Sequence, residues 1–182
     1  MKTALVLIDI QNDYFEGGRK ELSGPAQAAD NAAEILRAAR IKSIPVFHVR
    51  HISTKPGASF FLPETEGSEI NSRVAPVEGE TVVIKHFPNS FRDTVLEKEL
   101  NALGIRRLVI CGMMSHMCVD TTVRAAADLG YSCVLVHDAC ATCDLTFGGR
   151  TIPAEEVHAS FMAALKGTFA ELVTAEEAAM ML

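Results

Sequence analysis

The 182-residue chain has no run of Lys or Arg long enough to build a basic patch, and its formal net charge is −6. Nucleic-acid binders need a clustered cationic surface, so no nucleic-acid partner is expected. Long apolar runs are missing too. The first, Ala4 to Ile8, is broken by Asp9 and is far too short for an export signal or a membrane span. The expected compartment is therefore the cytoplasm, with no membrane partner. Five cysteines are an odd count, and in a reducing compartment they do not predict a disulfide framework. No repeat, low-complexity tract or linker interrupts the sequence, so residues 1–182 are read as one domain. A hydrophobic content of 48% with 22% charge places that domain among soluble globular proteins.

What is present is an alternation of short apolar runs with longer stretches of helical period. The runs are Thr3 to Ile8, Ser43 to Val49, Thr81 to Ile84, Arg107 to Cys111 and Ser132 to Val136, with a weaker one at Phe169 to Val173. Being apolar at successive positions, they predict strands of a parallel sheet covered on both faces. Between them, Ser23 and Pro25 open a helix with Ala28, Ala32, Ile35, Leu36 and Ala39 on one face. Thr94 to Glu97 has the pattern of a capping box, and that helix stops at Gly104. Further helices are expected from Ser115 to Gly130, from Pro153, and after a second capping box at Thr174 to Glu177. The predicted fold is a three-layer α/β/α domain with a mostly parallel sheet of about six strands.

One irregular segment, His51 to Glu80, is long for a compact domain, and such segments are usually functional. It contains Phe60 and Phe61, which either pin it to the core or a second subunit, or line a pocket. Gly148 and Gly149 mark another loop, read as flexible.

In an open parallel sheet, ligands bind beyond the carboxyl ends of the strands. Three polar residues stand at that edge: Asp9 after the first run, Lys85 after the third, and Cys118 in the first turn of the helix that follows the fourth. A helix N-terminus and a neighbouring Lys both favour a thiolate. A carboxylate can take the thiol proton and return it to a leaving amine, and backbone N–H groups before Cys118 can hold an oxyanion. Taken singly, Asp9 and Lys85 read as a structural ion pair and Cys118 as a core residue. Taken together, after three separate strands, they favour catalysis.

The same residues carry a resemblance. Leu7 to Phe15 (LIDIQNDYF), Lys85 with Asn89-Ser90-Phe91, and Gly112 to Val119 (GMMSHMCV) continuing into Thr121 to Ala126 are similar to the motifs of the isochorismatase-like cysteine hydrolases. The similarity runs from about Thr3 to Val173. It implies the three-layer fold, the triad Asp9, Lys85 and Cys118, and a cis peptide between Met113 and Met114. It also implies an oxyanion hole from the N–H groups of Met114 and Cys118, and assembly into a homodimer or larger homo-oligomer. Nicotinamidases within that group carry a metal-binding Asp-x-His after the second strand. Here those positions read His51-Ile52-Ser53, so neither that metal site nor any cofactor is expected. His48 and His51 together are weak evidence for a metal.

Other signals point less clearly. Cys140 and Cys143 have dithiol spacing but follow a late strand. Cys118 and Arg124 have the spacing of a phosphatase loop, yet Val119, Asp120, Thr121, Thr122 and Val123 between them suit a helix, and Asp120 would repel phosphate. Phe15, Phe60, Phe61, Phe87 and Phe91 suggest an apolar pocket wall, and His86 and His116 flank two triad members. The expected function is hydrolysis of a small amide or carbamoyl-type substrate through a thioester. Enol-ether hydrolysis, a non-catalytic binding protein and a cysteine phosphatase are the alternatives.

Overall fold

The computed structural model describes residues 1–182. Strand β1 (Thr3–Ile8) shows why the runs are apolar throughout: its alternate residues enter two different cores. Leu5 and Leu7 join one hydrophobic cluster, while Ala4, Val6 and Ile8 join the other. The chain continues through α1 (Pro25–Ile41), β2 (Val46–His51), β3 (Thr81–Lys85), α2 (Leu96–Ala102), β4 (Arg107–Met113) and α3 (Asp120–Asp128). It ends with β5 (Ser132–Ala141), the short strands β6 (Leu145–Phe147) and β7 (Arg150–Ile152), α4 (Ala154–Leu165), β8 (Glu171–Val173) and α5 (Ala175–Met181). Six strands pair in the order β3-β2-β1-β4-β5-β8, every pair parallel. Helices α1 and α5 pack on one face, and α2, α3 and α4 on the other. The α/β sandwich is the expected one. No helix is long and apolar enough to cross a membrane.

Strand order puts the topological switch between β1 and β4. The chain leaves β1 towards β2 and β3 on one side, then returns to β4 and moves to β5 and β8 on the other. Connections diverge there, which opens a crevice at the strands' carboxyl ends. Asp9 follows β1, and Cys118 follows β4.

Local details depart from the sequence reading where backbone chemistry intervenes. Strand β2 begins at Val46 rather than Ser43, because Pro45 has no N–H to donate and Ser43 sits at φ +52°. The capping box at Thr94 does not form. Val95 is the N-cap, and the Thr94 hydroxyl donates instead to the Ser90 carbonyl at 2.6 Å. The box at Thr174 and Glu177 does form. Gly148 and Gly149 are the two-residue tip of a β6–β7 hairpin, with φ of +57° and +75°, rather than a free loop. Strand β3 is not covered on both faces. Val82 and Ile84 are exposed, because the long segment between β2 and β3 replaces the helix that would have packed on them.

That segment contains only two single 3-10 turns, Glu66–Ser68 and Ser72–Val74, and side chains from the β1 end tie it down. Asp13 Oδ2 accepts from the Phe61 N–H at 2.6 Å. The Gln11 amide donates to the carbonyls of His51 and Ser68 and accepts from the His51 N–H. Phe61 is buried against Tyr14, ring centroids 4.6 Å apart.

Candidate active site

Asp9 turns out of β1 at φ +50°, a left-handed conformation that Asp tolerates better than most residues, and its carboxylate is wholly buried. Lys85 closes β3, two strands away, and its stem reaches along the strand ends to bring Nζ within 2.7 Å of Asp9 Oδ2. The same Nζ lies 3.2 Å from Cys118 Sγ, 3.1 Å from the Phe87 carbonyl and 3.1 Å from His51 Nδ1. Cys118 belongs to a π-helical turn, Ser115–Val119, that runs into α3. The turn is anchored by Ser115, whose hydroxyl contacts the Ala141 carbonyl and His158 Nδ1. The Met113–Met114 peptide before it is cis, as the resemblance implies. So three side chains from separate strand ends meet at one point. Above them opens a cavity of about 380 Å³ whose lining includes Tyr14, His51, Phe60, Met114, Met117 and Cys118.

The protonation states follow from burial. Burial pushes the Asp9 carboxyl up, and the Lys85 ammonium opposes it. Burial pulls Lys85 down, but the Asp9 carboxylate and the hydrogen bonds to Asp9 and Cys118 more than offset this and hold it charged. Cys118 departs from the sequence reading. Burial first, then the Asp9 charge, raise its thiol well above the usual range, and Lys85 only partly counters them. At rest the centre therefore holds a thiol, a carboxylate and an ammonium rather than a preformed thiolate.

The isochorismatase domain model matches residues 3–177. An uncharacterized isochorismatase family protein of Bacillus subtilis, YddQ, is 53% identical over 97% of this chain and 98% of its own. A crystal structure of an isochorismatase-family protein from Oleispira antarctica superposes with a TM-score of 0.95 at 50% identity, covering 98% of this chain and 96% of that one. The chain belongs to the isochorismatase family. It is a hydrolase of that family, and the solved relatives share its whole architecture rather than one motif. Among more distant relatives, a streptothricin hydrolase of Streptomyces noursei is 36% identical over 83% of this chain and 55% of its own. A ureidoacrylate amidohydrolase of Azorhizobium caulinodans is 28% identical over 76% of this chain and 75% of its own.

In this isochorismatase-family chain the expected site residues divide. Phe60, Phe61, His86 and Met114 line the cavity over Cys118. Phe15, Phe91 and His116 do not. Phe15 lies under the Arg73 guanidinium in a separate groove, Phe91 stacks on Tyr131, and His116 bonds to the Thr142 hydroxyl at 2.5 Å and packs on Phe161. Phe87 contributes its carbonyl to Lys85 while Arg92 covers its ring. Arg124 is held by both oxygens of Asp120 on α3, so it does not complete a phosphate loop.

His48 and His51 stand three residues apart on one strand and so face opposite sides of the sheet. His48 bonds to Glu80 at 2.8 Å, far from His51's partner Lys85. Ligand atoms of Asp9, His51 and Cys118 do lie within 4.8 Å of one another. The Lys85 ammonium touches all three, and a fixed positive charge in that place opposes a metal cation. Sequence reasoning considered His51 only as a metal ligand and missed its contact with Lys85. The signal was its position: it is the last residue of β2, paired in register with Lys85.

Proposed function

We propose that the protein is a cysteine hydrolase that cleaves a C–N bond of a small amide or carbamoyl-type substrate. The observation that carries this reading is the single contact point at the cavity floor, where Lys85 Nζ reaches both Asp9 and Cys118. Because the resting sulfur is protonated, Asp9 acts as general base while Cys118 Sγ forms its bond to the acyl carbon. Burial, which raises the Asp9 pKa, strengthens it as a base. Lys85 keeps its ammonium beside both groups and stabilises the sulfur as its charge develops.

The substrate oxygen, now negative, rests on the N–H groups of Met114 and Cys118. The Met114 N–H has no backbone acceptor, which leaves it available for that purpose. Asp9 then gives its proton to the leaving nitrogen as the C–N bond breaks, and an amine or ammonia departs. Water attacks the thioester, Asp9 takes one of its protons, the C–S bond breaks and the sulfur recovers its proton as the acid leaves. The name of one distant relative, a ureidoacrylate amidohydrolase, agrees with this bond class.

Cys118→Ala removes the nucleophile from a buried site with little change in volume. Amine or ammonia release from a responsive amide should disappear while the far-ultraviolet circular dichroism spectrum stays as in the parent. Release at the parent rate in that variant would refute the mechanism.

A further inference from the structure

His51 has a defined tautomer. Lys85 carries an ammonium, which can only donate, so the ring nitrogen facing it, Nδ1, must be the bare acceptor. Burial first, then the charges of Lys85, His86 and Lys55, hold the ring pKa down to about 3. The imidazole is therefore neutral, with its one proton on Nε2. That N–H has no partner within the protein and is not among the buried unpaired atoms, so it opens on the cavity that His51 lines.

The rest of the wall has one sign of charge. Lys55 is the only Lys, Arg, Asp or Glu side chain that lines the cavity, and no carboxylate lies within 4.0 Å of its ammonium. Ser53, Thr54 and Ser59 of the same segment also line it. Beneath the floor, Asp9 offsets Lys85, leaving Lys55 as the uncompensated charge. A cleft with one uncompensated cation and an oriented N–H donor concentrates anions.

We propose that the Nε2–H of His51 and the ammonium of Lys55 together form a recognition site for a carboxylate on the substrate, so that the preferred substrate is a small amide bearing an acidic group. This rests on the hydrolase reading of Cys118 and narrows it. His51 and Lys55 bind rather than react. His51 also links the two functions, because the Lys85 that orients its ring also contacts the nucleophile.

The test is alkylation of Cys118 by iodoacetate and by iodoacetamide, which differ in that one carries a carboxylate. In each case sulfur displaces iodide to form a thioether and Asp9 takes the thiol proton. Rates are followed by peptide mass spectrometry on the intact chain, with glutathione as the reference thiol. The ratio of iodoacetate to iodoacetamide rates should exceed that of glutathione by about tenfold, the lower range of electrostatic enrichment. Lys55→Arg should keep the excess. Lys55→Glu should reverse it, and His51→Phe should reduce it by several-fold. A ratio equal to that of glutathione and indifferent to Lys55→Glu overturns the acidic-substrate inference while leaving the hydrolase reading intact. Should Cys118 react no faster than the half-buried Cys143 with either reagent, both fall together.

Discussion

At the scale of single residues, Lys85 has more partners than protons. Its ammonium has three N–H bonds and four acceptors: Asp9, His51, the Phe87 carbonyl and Cys118. A small shift of Nζ redistributes its protons as charge moves from carboxylate to sulfur, so no partner is left wholly without a donor. Lys85 and Asp9 are both fully buried, and removing one strands the charge of the other. Lys85→Met should therefore cost about 3–5 kcal/mol of stability, the usual penalty for an orphaned buried charge. Adding Asp9→Asn to that variant should recover most of the loss. Urea denaturation of the parent, the single and the double variant checks this, and a single variant as stable as the parent would mean that the pair contributes nothing.

At the scale of elements, the meeting of Asp9, Lys85 and Cys118 was legible because each follows an apolar run that is a strand on any reading. Strand identity then fixes which edge of the sheet the residue reaches. Phe15, Phe91 and His116 were misplaced because adjacency in sequence does not say which way a side chain leaves a turn. The hairpin at Gly148 and Gly149 and the failed cap at Thr94 were lost for a related reason. Both turn on a choice between competing local hydrogen bonds: the Thr94 hydroxyl bonds back to Ser90, and Leu145 to Phe147 pairs with Arg150 to Ile152.

Gly112 is a case where element packing dictates a residue. It lies in β4 at φ +134°, and a Cβ there would stand 2.0 Å from the carbonyl oxygen of Ile8 in the neighbouring β1. Ile8 immediately precedes Asp9, so the close approach of these strands sets where the carboxylate emerges. Gly112→Ala should cost about 3 kcal/mol or more, combining overpacking with a strained backbone. It should also lower activity beyond the loss of folded protein, because Ile8 must move. Thermal denaturation together with activity per folded molecule would test both parts; a stable, fully active variant contradicts the argument.

At the scale of the whole molecule, buried titratable groups confine stability to a pH window, and its two limits have different causes. On the acid side, His51 is held down to about 3 from 6.5. Burial pushes the Glu80 carboxyl up, but Arg40, the Val77 N–H and His48 outweigh it and hold it to about 2 from 4.5. Burial also lowers His48. In each case the unfolded chain binds more protons than the folded one, so stability is complete above the unfolded pKa and falls as pH drops. The decline starts below about 6.5 with the histidines and steepens below about 4.5 with Glu80. Asp9, raised by burial, acts in the opposite sense, but His116, His158 and Glu177 are lowered as well and act with the first three.

On the alkaline side, burial raises Cys133 to about 11 and Cys140 to about 12 from 9.0, and Cys118 is raised as well. The folded chain then keeps protons that the unfolded chain loses, so stability is complete below about 9 and declines above it. Urea midpoints measured at about pH 4, 7.5 and 10 should therefore be highest at the middle value. His51→Gln removes a titrating ring while retaining a neutral amide, and should flatten the acid limb between about 6.5 and 5 without affecting the alkaline one. Cys133→Val should do the reverse. A midpoint that does not fall between pH 7.5 and 4 would show that the buried histidines and Glu80 are not held in the states their surroundings require.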